Sequence, residues 1–164
     1  NMVGDDFLAT CWTKTSTQRG GYEVKRESTG IGVICDHQEP FEWSQLDVFD
    51  TGGGTPTADG VDITGQLIED VHAREKLLMV ITDGKPNSAY GDKETSLTGS
   101  PVEDAREIVR KVRSKNIKVI GLFVGGSPED TAMADVFGAD GYVVASMDDM
   151  AEALLGVYRD QLRV

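Results

Sequence analysis

The sequence predicts an α/β fold with a mostly parallel central sheet flanked by helices. Three observations predict it. From residue 57 onward, helix-like and strand-like segments alternate, which implies parallel strands joined by right-handed crossovers. Leu-Leu-Met-Val-Ile-Thr at 77–82 and Ile-Lys-Val-Ile-Gly-Leu-Phe-Val at 117–124 are apolar runs rich in β-branched residues, the pattern of strands covered on both faces. Both runs stop at turn signals, Thr82-Asp83-Gly84 and Gly125-Gly126, at the carboxyl edge where open α/β sheets place their ligands.

The elements follow in order. Residues 7–13 read as an aromatic-rich strand, 15–21 as a loop, and 30–35 as a second strand preceded by a weakly alternating, charged stretch at 22–28. An extended piece near 41–43 follows, and Pro40 places it at an edge. Ala58, Val61, Ile63, Leu67, Ile68 and Val71 recur at helical spacing, so a helix runs from 57 to about 74 with Asp59, Asp62, Glu69 and Asp70 in solvent. After the strand at 77–82, a polar stretch at 88–101 is long for a connection in a compact domain and is a natural recognition loop. Ser100 is the expected N-cap of a helix over 101–113, with Pro101 at its first position, acids early and bases late. Ser127 to Asp130 open a helix through Val136, residues 139–145 form a last short strand, and an amphipathic helix over 148–162 closes the chain.

The 164 residues fit one domain, 1–164, with 39% hydrophobic and 27% charged residues. No apolar run approaches the ~20 residues of a membrane span, and no secretory leader is visible, so the expected location is the cytoplasm. A formal net charge of −12 argues against nucleic-acid binding and favours cations or basic protein surfaces as partners. It would also suit a high-salt cytoplasm, but an ordinary acidic surface is the reading that composition favours. Cys11 and Cys35 lie in strand-like runs and are expected as buried thiols rather than a disulfide or zinc pair. His37 and His72 lack partners at metal-ligand spacing and read as surface residues. Trp12 and Trp43 read as core or edge packing, with a partner surface as the alternative for Trp43.

Two stretches carry the chemistry. Thr-Gly-Gly-Gly-Thr-Pro at 51–56 is a glycine-rich loop entering a helix, and Thr55 offers a hydroxyl there. Asp83 offers a carboxylate at the end of a buried strand. Thr55 would otherwise cap the following helix, and Asp83 would otherwise be a turn residue.

These two stretches, with Ile-Lys-Val-Ile-Gly-Leu-Phe-Val-Gly at 117–125, resemble the von Willebrand factor type A (vWA) domain, a Rossmann-like three-layer fold. The resemblance covers nearly the whole chain, most specifically 46–162. It implies a divalent cation, usually magnesium, held at the carboxyl edge in a metal-ion-dependent adhesion site (MIDAS). By motif match Thr55 carries over as the threonine ligand and Asp83 as the aspartate, which would act directly or through a water. Magnesium suits such a set, because it takes hard oxygen ligands in an octahedron and keeps several waters. The third element, Asp-x-Ser-x-Ser after the family's first strand, is not in the sequence. Residues 7–13 and 30–35 match the family's second and third strands, so the first strand and helix are expected to be missing. With the family's order 3-2-1-4-5-6 that removes the central strand. A preceding piece, a complementing fragment, a second copy in a homodimer, or direct pairing of the flanking strands would fill the gap, and metal binding by this chain alone should be weak.

The resemblance implies a noncatalytic protein-binding module that grips an acidic residue of a partner, with an AAA-type ATPase as the partner to test first. The alternative is a magnesium-dependent phosphate-handling enzyme in which 51–55 cradles an anion and Asp83 holds the metal. Against it, the loop lacks the Gly-Lys-Ser/Thr ending of a P-loop and holds no basic residue. A scaffold without metal is the third reading.

Overall fold

The computed structural model describes residues 9–17, 26–35, 44, 54–87, 90, 96–125 and 131–161. Their order is β1 (Ala9–Thr17), β2 (Arg26–Cys35), α1 (Thr57–Glu69), β3 (Leu77–Thr82), α2 (Pro101–Arg113), β4 (Lys118–Val124), α3 (Ala132–Phe137), β5 (Tyr142–Ala145) and α4 (Met150–Gln161). The fold is α/β and Rossmann-like. β3, β4 and β5 form a parallel sheet in that order, and β1 and β2 form a separate antiparallel pair. Among the described residues β1 and β3 do not pair, so direct closure of the gap is not what this structure adopts.

Strand alternation sets the layers. Val119 and Phe123 of β4 join one core with Val61 of α1, Ile108, Val109 and Val112 of α2, and Phe137 of α3. Leu122 and Val124, pointing to the opposite face, pack with Ala145 under Met150, Ala153 and Leu154 of α4. Both faces of β4 are therefore covered, which explains its unbroken apolar sequence; each such buried side chain contributes about 1.5–3 kcal/mol. β3 is less enclosed. Leu78 and Val80 are buried towards the helices, whereas Ile81 on the other face is 49% exposed.

Helix α1 joins the two sheets. Gly60 packs so closely on Trp12 of β1 that a Cβ there would lie 2.2 Å from the indole ring. Thr64 Oγ1 lies 2.8 Å from Thr10 Oγ1, and Thr29 of β2 donates to the Asp59 carboxylate. Gly65 lets α1 approach α2, since a Cβ would sit 2.8 Å from Val112. Trp12 is thus a packing residue, as expected.

Several boundaries differ from the sequence reading. β1 continues through Thr15, Ser16 and Thr17, which pair with Ser28, Glu27 and Arg26. A cross-strand partner supplies there what the local pattern lacks. α1 ends at Glu69 rather than near 74, where Lys76 Nζ donates to the Glu69 carbonyl at 2.7 Å and satisfies a terminal acceptor. Asp59 and Asp62 were expected in solvent but are 7% and 3% exposed, because the hairpin, α2 and Tyr90 enclose the start of α1. Ile63 and Leu67, expected on the buried stripe, are 39% and 40% exposed. α2 matches closely: Ser100 caps it by accepting from Glu103 N at 3.4 Å, with Pro101 at its start. Cys11 is half-buried in β1 and His72 is exposed. The expected features at 41–43, His37, Trp43 and residues 127–130 lie outside the described residues, as does the side chain of Cys35.

Candidate functional site

The carboxyl ends of parallel strands and the starts of the helices that follow them share one edge of such a fold. β3 ends at Thr82, whose Oγ1 lies 2.8 Å from the Gly84 carbonyl and accepts from Gly84 N at 3.2 Å. This side-chain turn bends the backbone sharply at Asp83. The Asp83 carboxylate is exposed, and nothing among the described residues donates to it.

Asn87 joins this turn to the loop before α1. Thr55 N donates to Asn87 Oδ1, and Asn87 N donates back to the Thr55 carbonyl at 3.3 Å. Thr55 and the turn carrying Asp83 are thereby held on one edge, separated by only the residues from 83 to 87. The α1 start is closed by backbone: Thr57 N to the Thr55 carbonyl and Gly60 N to the Pro56 carbonyl, both at 3.0 Å. No side chain caps α1, so the Thr55 hydroxyl is not spent as a cap. Residues 51–53 of the glycine-rich loop lie outside the described residues.

The sequence reading missed Asn87, whose role depends on a contact 32 positions away. It also missed two buried carboxylates beside this edge. Asp104, in the first turn of α2, is 0% exposed and takes the Tyr90 and Thr98 amides at 3.0 and 2.8 Å and the Ser96 and Thr98 hydroxyls at 2.8 and 2.7 Å. Burial pushes its pKa up, but these donors, Thr98 foremost, outweigh it and hold the carboxyl below its ordinary value. Asp62 accepts from Tyr90 Oη at 2.6 Å and Lys111 Nζ at 2.9 Å. Burial again opposes, and Tyr90 and Lys111 prevail to lower its pKa. The same bond, with burial and the charges of Asp62 and Asp59, raises the Tyr90 phenol to about 12. The described part of the 88–100 connection is therefore tied down at Tyr90, Ser96 and Thr98.

Donor chemistry decides what the Thr55–Asp83 pair would hold. One carboxylate and one hydroxyl are hard oxygen donors, right in type for magnesium and too few to enclose it. Among the described residues no three His, Cys, Asp or Glu side chains gather as a metal-holding group. No helix among them is long and apolar enough to cross a membrane.

The fold and this edge define a Rossmann-like α/β domain with its loops collected at the carboxyl end of a parallel sheet. No protein-family model matches the chain. Over 97 residues it is 34% identical to Protein NorD of Brucella melitensis biotype 1, a stretch taking in 58% of this chain and 14% of that protein.

Proposed function

We propose that the chain is part of a vWA-type protein-binding module in which Thr55 and Asp83 supply two ligands of a magnesium-centred adhesion site. The observation that carries this reading is the Asn87 clasp, which brings the threonine loop and the aspartate turn together while leaving the Asp83 carboxylate exposed. The remaining loop comes, in this reading, from a strand and helix outside residues 1–164 or from a second chain. Three features favour that. β3 is unpaired on one side among the described residues, Ile81 is exposed, and α1 touches β1, β2 and β3 across the space between the sheets. A strand between β1 and β3 would satisfy backbone groups along the open edge. The bound metal would supply an electrophilic centre for a partner's carboxylate. Asp83 would anchor it, Thr55 would orient it, and Asn87 would hold the two loops in register. An AAA-type ATPase is the partner to test first. The chain spans about 14% of the length of the relative it matches.

The test is capture of proteins from the source extract on the immobilised chain completed by a supplied first strand and helix, in magnesium or in chelator, with the parent and Asp83→Ala. Retention that needs magnesium and Asp83 supports the module. A retained set indifferent to both defeats it, and magnesium-dependent nucleotide hydrolysis by the chain would favour the phosphate-handling reading.

A further inference from the structure

On the face opposite α1, α2 and α3, a groove of about 250 Å³ opens between β5 and the second half of α4. Ile120 and Val143 form its floor, and Ala153, Gly156 and Val157 its helical wall. This is smaller than the pockets that enclose drug-sized ligands and suits one or two aliphatic side chains. Its rim is acidic: Asp140 stands at the β5 end and Asp160 at the end of α4, both exposed. Lys118, a described cation near that end, is engaged by Glu75 at 3.0 Å and by the Gln161 carbonyl.

Gly156 distinguishes the groove from ordinary surface. Glycine in a helix interior is destabilising, so its presence there needs a reason. Gly60 and Gly65 of α1 have one inside the chain, since a Cβ at each would run into Trp12 or Val112. A Cβ at Gly156 would meet nothing within 4 Å. The side chain is omitted from a helix wall that faces an open apolar groove. Beside it, β5 is the outer strand of its sheet and pairs only with β4 among the described residues, leaving its outer edge for an extended segment.

We propose that this groove docks a basic segment of a partner protein, seating an aliphatic side chain against Gly156 and Val143 while flanking lysine or arginine side chains meet Asp140 and Asp160. The proposal is independent of the magnesium site. Charge selects the occupant: an apolar floor between two carboxylates, on a chain of net charge −12, disfavours a second copy of itself and favours a cationic segment.

The experiment is fluorescence anisotropy with a short labelled peptide in which two leucines are flanked by lysines, added to the chain. A Cβ at Gly156 meets nothing within 4 Å and leucine has the higher helix propensity, so the unfolding midpoint of Gly156→Leu, whose side chain would occupy the groove, should not fall below the parent's. The parent binds the peptide with an affinity that declines as salt rises. Gly156→Leu, and separately the pair Asp140→Asn with Asp160→Asn, weaken binding by about tenfold or more. Glu103→Gln with Glu107→Gln removes equal charge from α2 on the other face and leaves it unchanged. The proposal is overturned if the parent does not bind, if Gly156→Leu binds as the parent does, or if both charge pairs weaken binding alike. It is also overturned if the chain is a dimer that Gly156→Leu disperses, because a second copy would then be the occupant.

Discussion

Asp83 and Asp104 bound the same connection, from the end of β3 to the first turn of α2, and their surroundings are opposite. Asp104 is fully buried and accepts from Tyr90, Ser96 and Thr98, whereas Asp83 is exposed with no donor among the described residues. A carboxylate surrounded by donors is committed to holding its own loop. One left bare on a turn that the Thr82 hydroxyl and Asn87 already hold contributes little to the fold and is available to a ligand. The carboxylate with the strongest internal bonding is therefore the structural one, and the carboxylate without it is the one open to a ligand.

The largest effect expected from this contrast is on stability. Asp104→Ala leaves its donors unpaired in a buried setting and should cost about 3 kcal/mol in urea unfolding, since each stranded group carries a desolvation penalty. Asp83→Ala should stay within about 0.5 kcal/mol of the parent. Equal losses would break the contrast.

The second effect is on pH. The lowered pKa values of Asp62 and Asp104 mean that the stability they contribute is fully present above the unfolded carboxylate value of ~3.9 and is lost as pH falls through their folded values. Tyr90, raised to about 12, contributes stability that is complete below its unfolded value near ~10 and is lost as pH rises through about 12. Asp62→Asn should bring Tyr90 back towards ~10, read as the tyrosinate absorbance lost in a parallel titration of the Tyr90→Phe variant. A Tyr90 titration unmoved by Asp62→Asn would separate the two groups and remove the tie between α1 and the 88–100 connection.

The sequence made much of the α/β order visible, because β3, β4 and α2 carry their signals locally: apolar runs ended by turns, and Ser100-Pro101 opening a helix with acids first. Thr55 and Asp83 stood out because one follows glycines and the other ends a buried strand. The rest was settled by distant partners. Asp59 and Asp62 look like solvated acids of a helix start until Thr29, Tyr90 and Lys111 are brought to them from 30, 28 and 49 positions away. Residues 15–17 have no strand pattern of their own and become strand through pairing with 26–28. Asn87 reads as the end of a polar turn, and its clasp on Thr55 exists only once β3 lies beside the start of α1.

A smaller effect sharpens the site itself. Asn87→Ala removes the side-chain oxygen that accepts from Thr55 N, keeps the backbone bond from Asn87 N to the Thr55 carbonyl, and should cost about 1 kcal/mol of stability. Its greater consequence falls on the site, where Thr55 and the Asp83 turn lose their register, so metal affinity should drop more than stability does. A variant with parent-like metal affinity would show that the clasp does not position the ligands.

Whether Thr55 and Asp83 are ligands awaiting a third loop is decided by calorimetric titration of magnesium into the chain alone and into the chain completed by a supplied first strand and helix. Weak binding is expected of the chain alone and stronger binding of the completed protein, abolished by Asp83→Ala and reduced by Thr55→Ala at unchanged unfolding midpoint. Magnesium binding by the completed protein that survives Asp83→Ala, or no binding by it at all, would rule Thr55 and Asp83 out as ligands.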